Sequence, residues 1–233
     1  MFFSLIVPAE GREREAARQR LDGPYAEHQW LWRLFAAPEG TPRDFLYRRR
    51  DVGGLPRYYV VSQRAPGAAD PGWEVRVRDY APQLRAGDRL AFELRANPTV
   101  RHGRDGKSSR HDVVMEAKKK LLAERGLARW DDLPEDERPP LYELVSDAAG
   151  HWLDRRAERC GFALDRAALV VDAYTQHGRH ERRTAERELS FSSVDFSGEL
   201  VVTEPAAFAR TLAEGIGTAR AFGCGLLLVR PAA

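Results

Sequence analysis

The sequence predicts an α+β protein built as two tandem domains, over residues 1–98 and 99–233. Three observations carry this. Residues 1–98 read as strand, helix, strand, strand and further strands. The composition shifts just beyond Pro98. Residues 99–233 then bring two helices, followed by a series of strand, strand, helix and strand. The first series is of the βαββ type.

Each element has its own signal. "MFFSLIVP" is β-branched and aromatic and ends at Pro8, so it reads as a first strand. It has no basic segment before it and no small-residue cleavage site, so it does not read as a signal peptide. In "PYAEHQWLWRLF" apolar residues recur at Trp30, Leu31, Leu34 and Phe35, which is helical spacing, and Pro24 suits a first turn. "DFLYRRR" and "RYYVVSQ" flank "DVGGLP", a hairpin signal. "WEVRVRDY" and "RLAFELRANP" alternate as strands. Beyond Pro98, "TVRHGRDGKSSRH" reads as an exposed loop or linker. Asp112 and Gly126 bound one helix, and a second runs through "LYELVSDAAGHWLDRRAERCG". After two strand-like stretches, Pro205 opens a last helix, and "LLLVRP" reads as the final strand.

Composition narrows the classes. The chain is 43% hydrophobic and 31% charged, ordinary for a globular protein with a core. No window approaches the ~18 uninterrupted apolar residues of a membrane span. Two cysteines, Cys160 and Cys224, are too few for a disulfide framework or a zinc site, which predicts a reducing cytoplasm. Net charge is only +2, but its distribution is uneven. Basic residues gather at Arg48–Arg50, Arg101–His111, Lys118–Lys120 and His177–Arg183, and acidic ones at Asp131–Glu137. Either each run is a solvated face, or the basic ones together hold a polyanion.

"GIGTARAFGCGLLLVR" is the least ordinary stretch, with Gly215, Gly217, Gly223 and Gly225 ahead of an apolar run. It is not a Walker loop, because no Gly-Lys-Ser/Thr follows and the order is helix, loop, strand. It is not a dinucleotide fingerprint either, since Arg220 stands where the third glycine belongs. No nucleotide cofactor is expected. Spacing alone leaves two readings: a tight helix-to-strand connection, or a backbone that approaches phosphate.

This stretch resembles the C-terminal glycine-rich loop of the CRISPR repeat-processing proteins, most closely the CasE family, the endoribonucleases of type I-E systems. "HQWLWRLF" (His28–Phe35), "RDFLYR" (Arg43–Arg48), "FELRANP" (Phe92–Pro98) and "FSGELVVTE" (Phe196–Glu204) agree in order and spacing. The resemblance implies two ferredoxin-like, RRM-like domains. It implies binding and cutting of the CRISPR repeat hairpin in precursor RNA, with the product held in the Cascade complex beside other Cascade subunits. A non-catalytic RNA-binding subunit of such a complex is the alternative.

RNA carries its own nucleophile, so cleavage needs a base for the 2′-OH, an acid for the 5′-oxygen and positive charge on the phosphorane. No metal motif is present, and none is expected. His28 is the candidate acid/base, a role typically worth about 10²–10⁴-fold in rate. The resemblance pairs it with Tyr25, which would orient the 2′-OH or the imidazole. Without it, His28 reads more readily as a residue that caps or packs against Trp32. For the charge, the resemblance points to the basic loop of the second domain, and Arg179 is the choice there. His177, His180, Arg182 and Arg183 are expected to bind RNA with it. Arg101, Arg104, Lys107 and Arg110 are expected on the RNA stem, which proteins recognise by shape and phosphate contact. Gly215, Gly217, Arg220, Gly223 and Gly225 are expected against RNA phosphates or beside His28.

Overall fold

The computed structural model describes residues 1–18, 24–67, 70–104, 107–178 and 190–232, with backbone alone at 104, 107 and 108. It opens with β1 (Phe2–Pro8), α1 (Glu13–Arg18) and α2 (Pro24–Leu34). β2 (Phe45–Val52) and β3 (Leu55–Ser62) follow, joined through Gly53 and Gly54, and then β4 (Trp73–Asp79). These strands form one antiparallel sheet in the order β2-β3-β1-β4. α2 lies on it because Trp30, Leu31 and Leu34 share a helix face, with Phe35 just beyond. They bury against Phe45, Tyr47, Tyr58 and Trp73, with Trp30 and Trp73 rings 4.6 Å apart and Phe35 stacked on Phe45 at 4.5 Å. Each such side chain contributes about 1.5–3 kcal/mol on burial.

The second half runs β5 (Arg89–Ala96), β6 (Thr99–Arg104), β7 (Lys107–Asp112), α3 (Val113–Glu124) and α4 (Leu141–Ala157). It continues with β8 (Phe162–Leu164), β9 (Val170–His177), β10 (Phe191–Val202), α5 (Pro205–Glu214) and β11 (Leu227–Pro231). The sheet order is β11-β5-β10-β8, with β9 also paired to β10. Both sheets therefore have the ferredoxin-like order of fourth, first, third and second strand. The fold is α+β with two ferredoxin-like domains. No helix among the described residues is long and apolar enough to cross a membrane.

Two stretches differ from the sequence reading. β5, placed with the first series by a boundary at Pro98, pairs with β10 and β11 of the second sheet, Phe196 standing opposite Leu94 and Leu227 opposite Leu94 on the other side. The composition shift marks the hairpin that follows β5, whereas sheet membership is decided by pairing with a strand far along the chain. Residues 101–111 are not a loop: β6 and β7 form a hairpin with Arg101 opposite Arg110 and Arg104 opposite Lys107. Asp112 ends the hairpin and caps α3, its Oδ1 accepting from Val114 and Met115 N–H at 2.8 and 2.9 Å.

The two sheets meet face to face at a small seam. β5 alternates, turning Leu90, Phe92, Leu94 and Ala96 into the second core. Glu93 and Arg95 point the other way, toward Arg48 and Arg50 of β2. Beside these charges Leu46, Val61 and Leu226 close an apolar cluster. That seam sets where α2 stands against the C-terminal loop.

Candidate active site

α2 presents His28 and Trp32 one turn apart on the flank of its buried face. The Trp32 indole N–H donates to His28 Nε2 at 3.1 Å. An indole is only a donor, so Nε2 holds a lone pair and the neutral ring carries its proton on Nδ1. Nδ1 is buried and has no hydrogen-bond partner among the described residues. Burial, and then the positive charge of Arg43, hold His28 below the ordinary imidazole value. Tyr25, three residues earlier, is 55% exposed.

The opposite wall is the C-terminal loop. After α5 the chain passes through Gly215 and Gly217, makes a short 3-10 turn at Arg220–Phe222, and enters β11 through Gly223 and Gly225. The turn packs on α2, with the Phe222 ring 5.9 Å from His28. Gly215 has φ +77°, and a Cβ there would lie 2.7 Å from Gly225 O and 2.9 Å from Leu46 Cδ1. Gly223 has φ +78°, and a Cβ there would lie 3.2 Å from the Tyr47 ring. The close approach at these two positions is to the protein's own atoms, across the seam. Arg220 is partly spent inside the loop, its Nε and Nη2 donating to the carbonyls of Gly217 and Gly215 at 3.0 and 3.1 Å. Burial pushes the Cys224 thiol up to about 12, so it is a small apolar residue here.

β2 supplies the floor. Its inward series, Phe45, Tyr47 and Arg49, continues back to Arg43 at the strand's entry. The Arg43 guanidinium lies 5.8 Å from the Phe45 ring centroid, and its Nη1 is buried without a partner among the described residues. The same holds for Tyr47 Oη. Burial lifts the Tyr47 phenol far above its ordinary range, with Glu27 adding to the effect. Glu27 itself is buried, accepting from Tyr58 Oη at 3.1 Å and from Arg49.

A cleft of about 550 Å³ opens beside this wall, lined among others by Arg48, Arg50, Glu93, Arg95 and Phe222. Arg95 grips Asp195 with two bonds of 2.8 and 2.7 Å. Among the described residues, the ionic contacts of buried Arg48 are long, 3.7 Å to Asp195 and 3.9 Å to Glu93. His177, at the end of β9, also lines the cleft, bonded to Ser193 Oγ at 2.8 Å. Its ring stacks on Phe191 at 4.5 Å, and Phe191 stacks on Phe222 at 5.4 Å. An aromatic series of His177, Phe191, Phe222 and His28 thus joins the two histidines. Burial, then Arg95, lowers the His177 pKa as well.

The structure brings together His28, His177 and the glycine loop, with Tyr25 at the exposed edge of the same helix. Arg179, His180, Arg182 and Arg183 lie outside the described residues. Arg101 and Arg110 are exposed on the β6–β7 hairpin, which pairs with neither sheet; of Arg104 and Lys107 only the backbone is described, near its tip. Directly opposed cations such as Arg101 and Arg110 repel, which favours a hairpin with an anion beside it. Among the described residues no group of three or more His, Cys, Asp or Glu could hold a metal ion. The sequence reading assigned no role to Arg43, Tyr47 or Phe222. The alternation of "RDFLY" along one face of β2 was the available signal for the first two.

Comparison with known proteins agrees over the whole length. A family model described as CRISPR associated protein matches residues 1–231. The CRISPR-associated endoribonuclease Cse3 of Thermus thermophilus is 31% identical over 228 residues, covering 93% of this chain and 94% of that protein. The CRISPR system Cascade subunit CasE of Escherichia coli is 25% identical over 234 residues, covering 99% of this chain and 100% of that protein. The solved structure of Thermus thermophilus Cse3 bound to an RNA representing a pre-cleavage complex superposes with TM-score 0.68 at 25% identity, covering 99% of each chain. From its first strand to its last, the chain belongs to the CRISPR associated protein family.

Proposed function

We propose that this chain is a metal-independent endoribonuclease that binds the CRISPR repeat hairpin of precursor RNA and cuts it by attack of the RNA's own 2′-OH. The names of the two curated relatives, an endoribonuclease and a Cascade subunit, support the substrate and the assembly. One observation of this structure carries the chemistry: a half-buried histidine with its pKa lowered faces the glycine loop at the junction of two ferredoxin-like domains. A neutral imidazole at neutral pH is a base.

The step balances without a cofactor. The substrate 2′-OH displaces the Trp32 N–H at His28 Nε2 and gives that nitrogen its proton as O2′ bonds to phosphorus. The P–O5′ bond breaks, and O5′ leaves with the proton that the imidazolium now carries. The products are a 2′,3′-cyclic phosphate and a 5′-hydroxyl. Tyr25, on the adjacent turn of α2, orients the 2′-OH or the imidazole. Arg101, Arg104, Lys107 and Arg110 hold the stem phosphates, and the His177–Arg183 loop contacts the RNA near the cut, with Arg179 supplying charge to the phosphate. The product stays bound as part of Cascade, in the cytoplasm. The test is a repeat hairpin with a single 2′-deoxy nucleotide 5′ of the cut, under single turnover. It is expected to bind like the all-ribo RNA and remain uncut; cutting at the ribose rate contradicts the mechanism.

A further inference from the structure

Two cations near His28 have no carboxylate bonded to them among the described residues, although the Glu27 charge reaches Tyr47. Arg43 enters β2 close enough to His28 to depress its pKa, and its other cationic neighbour is Arg220 of the glycine loop. Neither guanidinium has an ion pair with a carboxylate among the described residues. Nearby cations on the seam do: Arg49 with Glu27 and Asp51, Arg50 with Glu93, Arg95 with Asp195. The acid nearest this wall, Glu27, is occupied by Arg49 and Tyr58.

Three of the buried polar atoms left without a hydrogen-bond partner among the described residues lie at this wall; the others are on Ser4, Arg48, Asn97, Arg156 and Thr218. Arg43 Nη1 and Tyr47 Oη are two of the three, from the entry and the inward face of β2 and in mutual electrostatic contact. His28 Nδ1, on α2 within electrostatic reach of Arg43, is the third. Buried donors are ordinarily satisfied, and leaving one bare costs about 1–3 kcal/mol. Donors left bare together beside an unpaired guanidinium describe a seat for an anion that the protein does not itself provide. The series Arg43–Phe45–Trp32–His28 ties that seat to the base: Arg43 lies over Phe45, Trp32 meets Phe45 edge-on at 5.3 Å, and Trp32 bonds His28.

We propose that Arg43, with the Tyr47 hydroxyl beside it, receives a non-bridging oxygen of the scissile phosphate and is a further catalytic residue, besides Arg179, that carries charge as the phosphorane forms. This rests on the reading of His28 given above. Arg220, anchored by two of its nitrogens to the loop carbonyls, keeps Arg43 turned toward the substrate by like-charge repulsion.

The test is single-turnover cleavage, at saturating enzyme, of repeat hairpins with an oxygen or either phosphorothioate diastereomer at the cut. The proteins are wild type, Arg43→Ala, Arg43→Gln and His28→Ala, with the Gln variant standing in if Ala fails to fold. Both Arg43 variants are expected to bind the hairpin, cut about 10²–10³-fold more slowly, and lose the sulfur sensitivity that wild type shows for one diastereomer. Rates within about threefold of wild type, or slow cutting with the wild-type sulfur effect intact, overturn the assignment. If His28→Ala is inactive and the Arg43 variants are normal, Arg43 alone falls. If His28→Ala cuts like wild type, the parent reading fails and takes the Arg43 role with it.

Discussion

Trp32 gives its indole N–H to Nε2 of His28 across 3.1 Å, closing the one lone pair through which the neutral imidazole could act as a base. The contact is a consequence of i,i+4 spacing on α2, and it stabilises the neutral ring without consuming it. In the free protein the proposed base is therefore held neutral but covered.

Trp32→Phe removes the donor and keeps most of the packing on Phe45. His28 loses a partner that favours its neutral form, so its pKa is expected to rise toward the ordinary imidazole value. Histidine NMR titration of the two proteins measures this directly, and an unchanged titration contradicts the capped geometry.

The pH dependence follows from two lowered histidines. His28 and His177 both have folded-state pKa values below the ordinary 6.5, through burial first and then through Arg43 and Arg95. A depressed histidine contributes stability that is fully present above the unfolded value, about 6.5, and is lost as pH falls below it, because the unfolded chain then binds more protons. Urea midpoints are expected to be level from neutral pH upward and to decline below about pH 6.5. In His28→Ala and His177→Ala that decline is expected to flatten. The cleavage rate is expected to rise through the same region and to reach a plateau at neutral pH.

Gly215→Ala puts a methyl group against Gly225 O and Leu46 at a left-handed φ. It is expected to cost about 2 kcal/mol or more of stability. Gly103→Ala, in the β6–β7 hairpin, meets nothing within 4 Å and is expected to lie within about 0.5 kcal/mol of wild type. Denaturant unfolding of the pair tests whether the loop glycines are required by the domain seam; equal stabilities contradict that.

Much of this was legible in the chain. The spacing of Trp30, Leu31 and Leu34 marked α2, and its proximity to the apolar face marked His28 as placed. The strand "RLAFELRA" was legible as a strand, but not its sheet, because pairing with β10 depends on residues far along the sequence. "RHGRDGKSSRH" hid a hairpin because its side chains are polar on both faces, leaving no alternation to read. The glycines were visible, while their neighbours Leu46 and Tyr47 were not, since close approach is a property of packing. Arg43 was likewise visible only as a letter. Its lack of an acid partner among the described residues is a fact of three dimensions.

Arg101→Ala and Arg110→Ala alter a hairpin whose cations face each other across the ladder. Each is expected to weaken binding of the repeat hairpin and to reduce the salt slope by about 1, without changing the single-turnover rate once RNA is saturated. A loss of rate at saturation would place these residues in the chemistry instead.

His28 is proposed to act on RNA without a metal. The direct measurement is gel analysis of an end-labelled repeat hairpin with wild type and His28→Ala, both in excess EDTA, with binding followed in parallel. One cut by the wild type is expected, and none by His28→Ala at undiminished binding. Equal cutting by both, or a wild type silenced by EDTA, would contradict that proposal.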